Sequence, residues 1–311
     1  MNAVFSTIGV FLTTGFVYSV LAMGYYVTYT ILDFPDLTVE GTFVSGAVTY
    51  GLLVTNGVSG YLALLCAFLV GAIFGSITGL LHVKLHIRPL LCGILVATAL
   101  ISVNLVLVSA GVAGSFAGDG ASTVNFGRDA LTLRNLAPIS FLPANFHGIP
   151  VRDLVTYALA ALLFKFLLDL FFKTKSGLLL RASGDNACFV TSIAKDSGNS
   201  KILGLAIGNG YAAVSGALYT NITLNANQSM GLGMVVIGLA SLIIGLSVFC
   251  KLACLKPTTK VIFGAIIYQA CLTGAQRLGM PSAYNKIIMA VLFTVALVLS
   301  DRLKKGGVRN A

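Results

Sequence analysis

Charge is what this sequence has least of. Asp, Glu, Lys and Arg make up 10% of its 311 residues, where a soluble domain carries about 25%. That deficit excludes an ordinary water-soluble domain. Acids are scarcer than bases, 10 against 20, for a net charge of +10. Tryptophan is absent, so an aromatic belt at a membrane interface has to come from Tyr and Phe. The six cysteines, Cys66, Cys92, Cys188, Cys250, Cys254 and Cys271, contain no CxxC pair. They read as reduced, small apolar residues. No GxxxxGK[ST] loop occurs, which excludes ATP hydrolysis by that route. No Ser/His/Asp or paired-carboxylate arrangement falls within an apolar run, so the chain does not read as an enzyme and no cofactor is implied. His82 and His86 have an i,i+4 metal spacing without a Glu or Cys beside them. They read as part of a basic interfacial cluster rather than a metal site, and His147 stands alone.

Apolar residues are plentiful. Hydrophobic residues reach 57% and the mean hydropathy is +0.94. Several runs reach the roughly 20 residues needed to cross a hydrocarbon core. The runs are continuous rather than alternating, which argues against a β-barrel. The expected fold is therefore all-α: a polytopic transmembrane helical bundle, with residues 1–311 forming a single domain. Abundant glycine, 34 residues, fits helices packed closely in lipid. The N-terminal run lacks a basic leader and reads as a retained first span, Phe5–Thr30. The excess of Lys and Arg over acids belongs to membrane loops and anionic lipid rather than to nucleic acid.

Further spans are expected at Tyr61–Leu81, Pro89–Gly111, Val151–Phe172, Lys201–Asn221, Gly231–Phe249, Val261–Ala275 and Lys286–Ser300. The stretch Asp33–Gly41 has three acids and no base, so it is placed outside, and Pro35 and Gly41 break it. Gly41–Thr55 is too short for a full crossing and reads as re-entrant or broken. The count is about eight crossings plus that segment. Residues 113–150 form a long extracytoplasmic loop, and Asn225, Asn227 and Gln228 an external turn. Most of the Lys and Arg fall in His82–Arg88, in residues 173–200, in the loop holding Lys251, Lys256 and Lys260, and in the C-terminal tail. That imbalance places these segments and both termini in the cytoplasm.

Two features carry functional weight. Asn104, Asn209, Gln269 and Gln276 are neutral amides inside apolar spans. Singly each reads as interhelical packing glue. As a set, beside the broken Asp33–Gly41 segment, they fit a path for a polar solute. Lys165 and Asp169 read as an i,i+4 pair near a helix end rather than as an intramembrane relay. The second feature is the cytoplasmic loop of residues 173–200. Asp185 or Asn186 can cap a helix there, and Phe189, Val190 and Ile193 share one face. Such a helix can dock in a partner's groove, and the spacing alone fits an ordinary connecting loop as well.

Five blocks settle that ambiguity: Leu32–Phe43, Gly79–Leu105, Arg181–Tyr219, Met230–Gly245 and Val261–Leu292. In these blocks the chain resembles the permease subunits of bacterial ATP-binding-cassette importers of the branched-chain amino acid and ribose type. It is most similar to the subgroup that works with a tryptophan-type binding protein. The resemblance implies an inner-membrane permease that pairs with a second copy, giving a homodimer, with two cytoplasmic ATPase subunits and an extracytoplasmic solute-binding protein. It assigns Gly184, Asp185, Asn186, Phe189, Val190, Ile193, Lys195 and Asp196 to a coupling helix in the ATPase groove. Phe189, Val190 and Ile193 would be the buried face, and Lys195 and Asp196 the rim. Ala187 stands where that family usually has Pro. It also matches Asp36–Gly41 to a broken helix beside the translocation path, so Asp36, Thr38 and Glu40 join Asn104, Asn209 and Gln269 as path candidates. The solute implied is an amino acid or other small polar metabolite. A stand-alone, ion-driven transporter is the alternative, and it would need a carboxylate buried in midspan.

Overall fold

In a computed structural model of the chain, the apolar runs are helices. The structure describes residues 2–113, 123–125, 150–185, 197–250, 252, 255–277 and 284–308. In chain order the helices are α1 (Asn2–Tyr25), a π-helix (Tyr26–Ile31), α2 (Thr38–Thr55), α3 (Gly60–Leu85), α4 (Pro89–Ala113), α5 (Val151–Phe171), α6 (Lys175–Asp185), α7 (Ser197–Thr223), α8 (Met234–Val248), α9 (Pro257–Arg277) and α10 (Asn285–Val308). Two short strands, β1 (Thr123–Asn125) and β2 (Asn225–Asn227), pair antiparallel with Val124 opposite Ala226. Among the described residues, six helical stretches are long and apolar enough to cross a membrane: Ser6–Ile31, Gly60–Leu85, Pro89–Ala110, Val151–Phe171, Gly198–Thr223 and Gln228–Val248. The chain is an all-α polytopic bundle.

The chain divides into two compact units. The second, Gly24–Ser140 with Phe166–Met234, is built around α7. Of the apolar window in α7, 78% is buried, against 28% in α3. Sequence explains the difference. Helix α7 is lined with small residues, and Leu205, Asn209, Ala212, Ala213 and Ala217 are all buried. Helix α3 meets it with a stripe of glycines at i, i+4 and i+8, namely Gly71, Gly75 and Gly79. A methyl group on these would run into Ala213 and Asn209, Leu205, and Ile202 respectively. Without side chains in the way the two backbones close up, which is how helices gain packing energy in lipid. The other face of α3 presents Leu62, Leu65, Leu69 and Ile73 outward, as a lipid-facing surface does.

Three expectations are corrected in this unit. Helix α2 is not broken: it runs for 18 residues from Thr38, about 27 Å at 1.5 Å per residue. The segment that folds back is Leu224–Gly233. Leu224 reverses the chain with φ of 56°. Ala226 then packs with Val44, Ala47, Val48 and Val124, and Gly231 lies against Glu40 and Val44. The chain thus runs back along α2 instead of forming a simple external turn. Second, Asp33–Gly41 does not lie at the opposite end from His82–Arg88. Phe34 packs edge-on against His82, with ring centroids 5.2 Å apart, and the backbone of Leu37 lies over Gly93. Ile31 likewise abuts Gly184. Asp33 is exposed, but Asp36 and Glu40 are held by polar groups of the bundle, so their charge did not report their side.

Third, part of the expected polar loop of residues 173–200 is helical. Helix α6 fills its first half, and α7 begins at Ser197 rather than Lys201. Asp185 is the last residue of α6. His82 Nδ1 bonds the Ile87 carbonyl at 2.8 Å, and His86 ends α3 in the left-handed region, a helix-terminating conformation.

The first unit comprises Met1–Met23, Phe141–Lys165 and Val235–Ala311. Its helices also approach at glycine. Gly15 of α1 faces Ile266 of α9, and Gly264 of α9 faces the Ser241 carbonyl and Gly245 of α8. Phe249 and Phe263 meet at a tilt, with ring centroids 5.7 Å apart. Helix α10 points Ile287, Val291, Val295 and Val298 outward.

Candidate functional site: a buried polar chain at the helix break

Between Ile31 and Thr38 the chain leaves helical geometry, with Asp33 at φ of 51°. Asp36 restarts it. Its Oδ1 accepts the Thr38 amide at 2.8 Å, satisfying one of the unpaired amides that open α2 and placing a negative charge at the positive end of the helix. Its Oδ2 accepts Asn209 Nδ2 at 2.6 Å. Asn209 spends its other donor on the Leu205 carbonyl at 3.0 Å, while its Oδ1 accepts the Thr42 hydroxyl at 2.9 Å. Thr38 and Thr78 share a hydroxyl–hydroxyl bond of 2.9 Å. One turn along α2, Asn104 Nδ2 donates to the Gly41 carbonyl at 3.2 Å and its Oδ1 accepts Ser45 at 2.7 Å. Glu40 Oε1 accepts the Gly233 amide at 3.0 Å, fastening the folded-back segment to α2.

All of these side chains except Glu40 are buried, Asp36 to 2% exposure and Asn209 to 0%. Moving a carboxylate out of water is costly unless hydrogen bonds replace its hydration. Here the Thr38 amide and the Asn209 amide do so, and the helix terminus adds its dipole. The result ties α2 to α3, α4 and α7 without a charged partner. It can hold and aim the broken segment. It offers no nucleophile and no acid–base pair.

The structure therefore gathers five expected residues, Asp36, Thr38, Glu40, Asn104 and Asn209, in the second unit. Gln269 lies in the first unit on α9, 8% exposed, with its Oε1 unpartnered. Thr42, Ser45 and Thr78 were missed. Thr38, Thr42 and Ser45 stand at i, i+4 and i+7, a polar stripe readable once α2 is taken as a full helix. Lys165 and Asp169 fall in the last two turns of α5. Of the coupling residues, Gly184 is described and packs on Ile31. Asn186, Phe189, Val190, Ile193, Lys195 and Asp196 lie outside the described residues. Among the described residues no cluster of His, Cys, Asp and Glu is arranged to hold a metal.

A bundle of membrane-spanning helices with a pinned break and a glycine-lined core defines a polytopic membrane protein of transporter type. Comparison with known proteins specifies it. Residues 7–297 match the family described as branched-chain amino acid transport system, permease component, and the chain belongs to that family. It is 36% identical over 297 residues to a tyrosine transport system permease protein of Clostridioides difficile, covering 94% of this chain and 92% of the relative. An uncharacterised protein of Rickettsia prowazekii is 27% identical over 282 residues, 89% of this chain and 91% of the relative. A probable branched-chain amino acid transport permease of Methanocaldococcus jannaschii is 30% identical over 200 residues, 64% of this chain and 60% of the relative. No solved structure matches. The chain is a permease subunit of the ATP-binding-cassette importer kind, a translocation component rather than a catalytic one.

Proposed function

We propose that the chain forms the membrane path of an importer for an aromatic amino acid, with tyrosine as the first candidate. The observation that carries this reading is the 36% identity to a tyrosine transport permease along nearly the whole chain. ATP would be hydrolysed by separate subunits that dock on residues 184–196. An extracytoplasmic binding protein would deliver solute, and a second copy of the chain would complete the path. Neutral amides and hydroxyls suit a path that passes solute without holding it, because capture falls to the binding protein.

The Lys/Arg-rich end formed by His82–Arg88 and α6 faces the cytoplasm of a bacterial inner membrane on this reading. Ile31 packs on Gly184 at that end. The first span would then begin outside, in place of the expected cytoplasmic N-terminus, while the basic C-terminal tail stays inside. The test is uptake of radiolabelled tyrosine into proteoliposomes holding the permease, its ATPase and its binding protein. Uptake that needs ATP and is competed by unlabelled tyrosine supports the reading. Uptake that ignores ATP and follows an ion gradient contradicts it, as does accumulation of another solute with tyrosine at background.

A further inference from the structure

The segment Tyr26–Ile31 is a π-helix. Its wide turn continues into the break, where the Leu32 amide donates to the Val27 carbonyl at 3.1 Å and the Phe34 amide to the Thr28 carbonyl at 2.9 Å. A π-turn carries one residue more than the α-turn it replaces, and such turns concentrate at functional sites. Nothing in the residues YVTYTI demands one, since they include neither glycine nor proline.

The turn is held by its neighbours instead. Tyr26 meets Phe172 edge-on with centroids 6.0 Å apart, and the Arg181 guanidinium sits 4.4 Å over that same Phe172 ring. The Thr28 methyl fills the space beside Gly208, and the Ile31 carbonyl fills the space beside Gly184. Leu32 and Leu180 both press on Gly204, where a methyl group would meet them at 2.6 and 2.8 Å. Helix α6 thus grips the π-turn at both ends, at Tyr26 through Arg181 lying over the intervening Phe172 ring and at Ile31 through Gly184. The Asp36–Asn209 bond lies just downstream.

We propose that the Tyr26–Ile31 π-turn is a register joint. When α6 is displaced, the extra residue passes along the helix, and the Leu32–Thr38 segment turns against α7, exchanging its contacts at Gly204 and Asn209 while α7 keeps its own main-chain bonds. The proposal rests on the reading of the chain as a permease driven by partner ATPases, which supply the displacement. Moving the extra residue by one position turns the following backbone by about 100° and advances it about 1.5 Å. Only one or two main-chain bonds are exchanged. Bending a plain α-helix in this buried position would leave main-chain amides unpaired.

Tyr29 is the π-turn residue to remove, because it is 40% exposed and its loss leaves little to repack. The full importer carrying a Tyr29 deletion is reconstituted in proteoliposomes. It is expected to assemble and hydrolyse ATP within about twofold of the wild type, while tyrosine moved per ATP falls at least about tenfold. Wild-type coupling in the deletion overturns the proposal. Because the deletion can fail to assemble, hydrogen exchange is also followed in the wild-type importer, nucleotide-free and vanadate-trapped. Exchange of the Leu32 and Phe34 amides is expected to change at least about tenfold between the states, while that of Asn209–Val214 stays constant. Unchanged exchange at Leu32 and Phe34 overturns the joint. A wild-type importer that moves no tyrosine sinks the functional reading instead, and the exchange result still decides the joint.

Discussion

The buried polar groups at the helix break and those of α8 and α9 are treated differently by the fold. At the break, Asp36, Thr38, Thr42, Asn104 and Asn209 are bonded to one another or to nearby groups. In the first unit, Ser241 Oγ, Tyr268 Oη and Gln269 Oε1 are buried without a partner, although Ser241 and Tyr268 are 0% exposed. A paired polar group inside a bundle contributes packing and aim. An unpaired one costs about 1–3 kcal/mol unless a group outside the chain satisfies it. Asn209 therefore acts as a pin. Gln269 lacks the pin's bonds, and on the proposed reading its unpartnered Oε1 is an acceptor available to a passing solute.

Substitutions sharpen that contrast. The largest effect is expected from Asn209→Leu, which removes the acceptor for Thr42 and strands the Asp36 carboxylate in a buried site. The loss should be about 3 kcal/mol or more, because the stranded acceptor is a carboxylate, read as a lowered unfolding midpoint in detergent. Asn104→Leu leaves the Gly41 carbonyl and Ser45 without their amide partner and should cost about 1–3 kcal/mol in the same assay. Tyr268→Phe and Gln269→Leu remove oxygens that make no hydrogen bond, so stability should stay within about 1 kcal/mol of the wild type or rise. Their effect should show in the KM for solute uptake. The smallest effect is the coupling between Thr38→Val and Thr78→Val, about 0.5–1.5 kcal/mol in a double-mutant cycle. Additive losses there would remove the inter-helix hydroxyl bond from the pin.

Much of the fold was legible because composition and run length decide it. The long apolar runs are the helices, and the abundant glycine fits the close approach of α3 to α7. The error at Asp33–Gly41 has a physical cause. Counting Asp33, Asp36 and Glu40 as solvated charge placed the segment outside, but Asp36 finds its donors in Asn209 and the Thr38 amide, and Glu40 finds one in the Gly233 amide. That misplacement also cut α2 short at Gly41 and hid the Thr38–Thr42–Ser45 stripe. The strands were invisible because each has three residues and they lie far apart in sequence. The π-turn was invisible because its residues include no helix breaker. Its cause is tertiary, in Phe172, Gly184 and Gly208. One signal, polar residues beside a break in apolar helices, picked out five residues that the structure brings together, Asp36, Thr38, Glu40, Asn104 and Asn209.

The contrast between pin and path is tested most directly by denaturing the wild type, Asn209→Leu and Gln269→Leu side by side in mixed micelles. The account predicts a midpoint for Asn209→Leu well below the wild type, and one for Gln269→Leu at or above it. A Gln269→Leu midpoint that falls as far as that of Asn209→Leu would contradict it, because both amides would then be holding the bundle together.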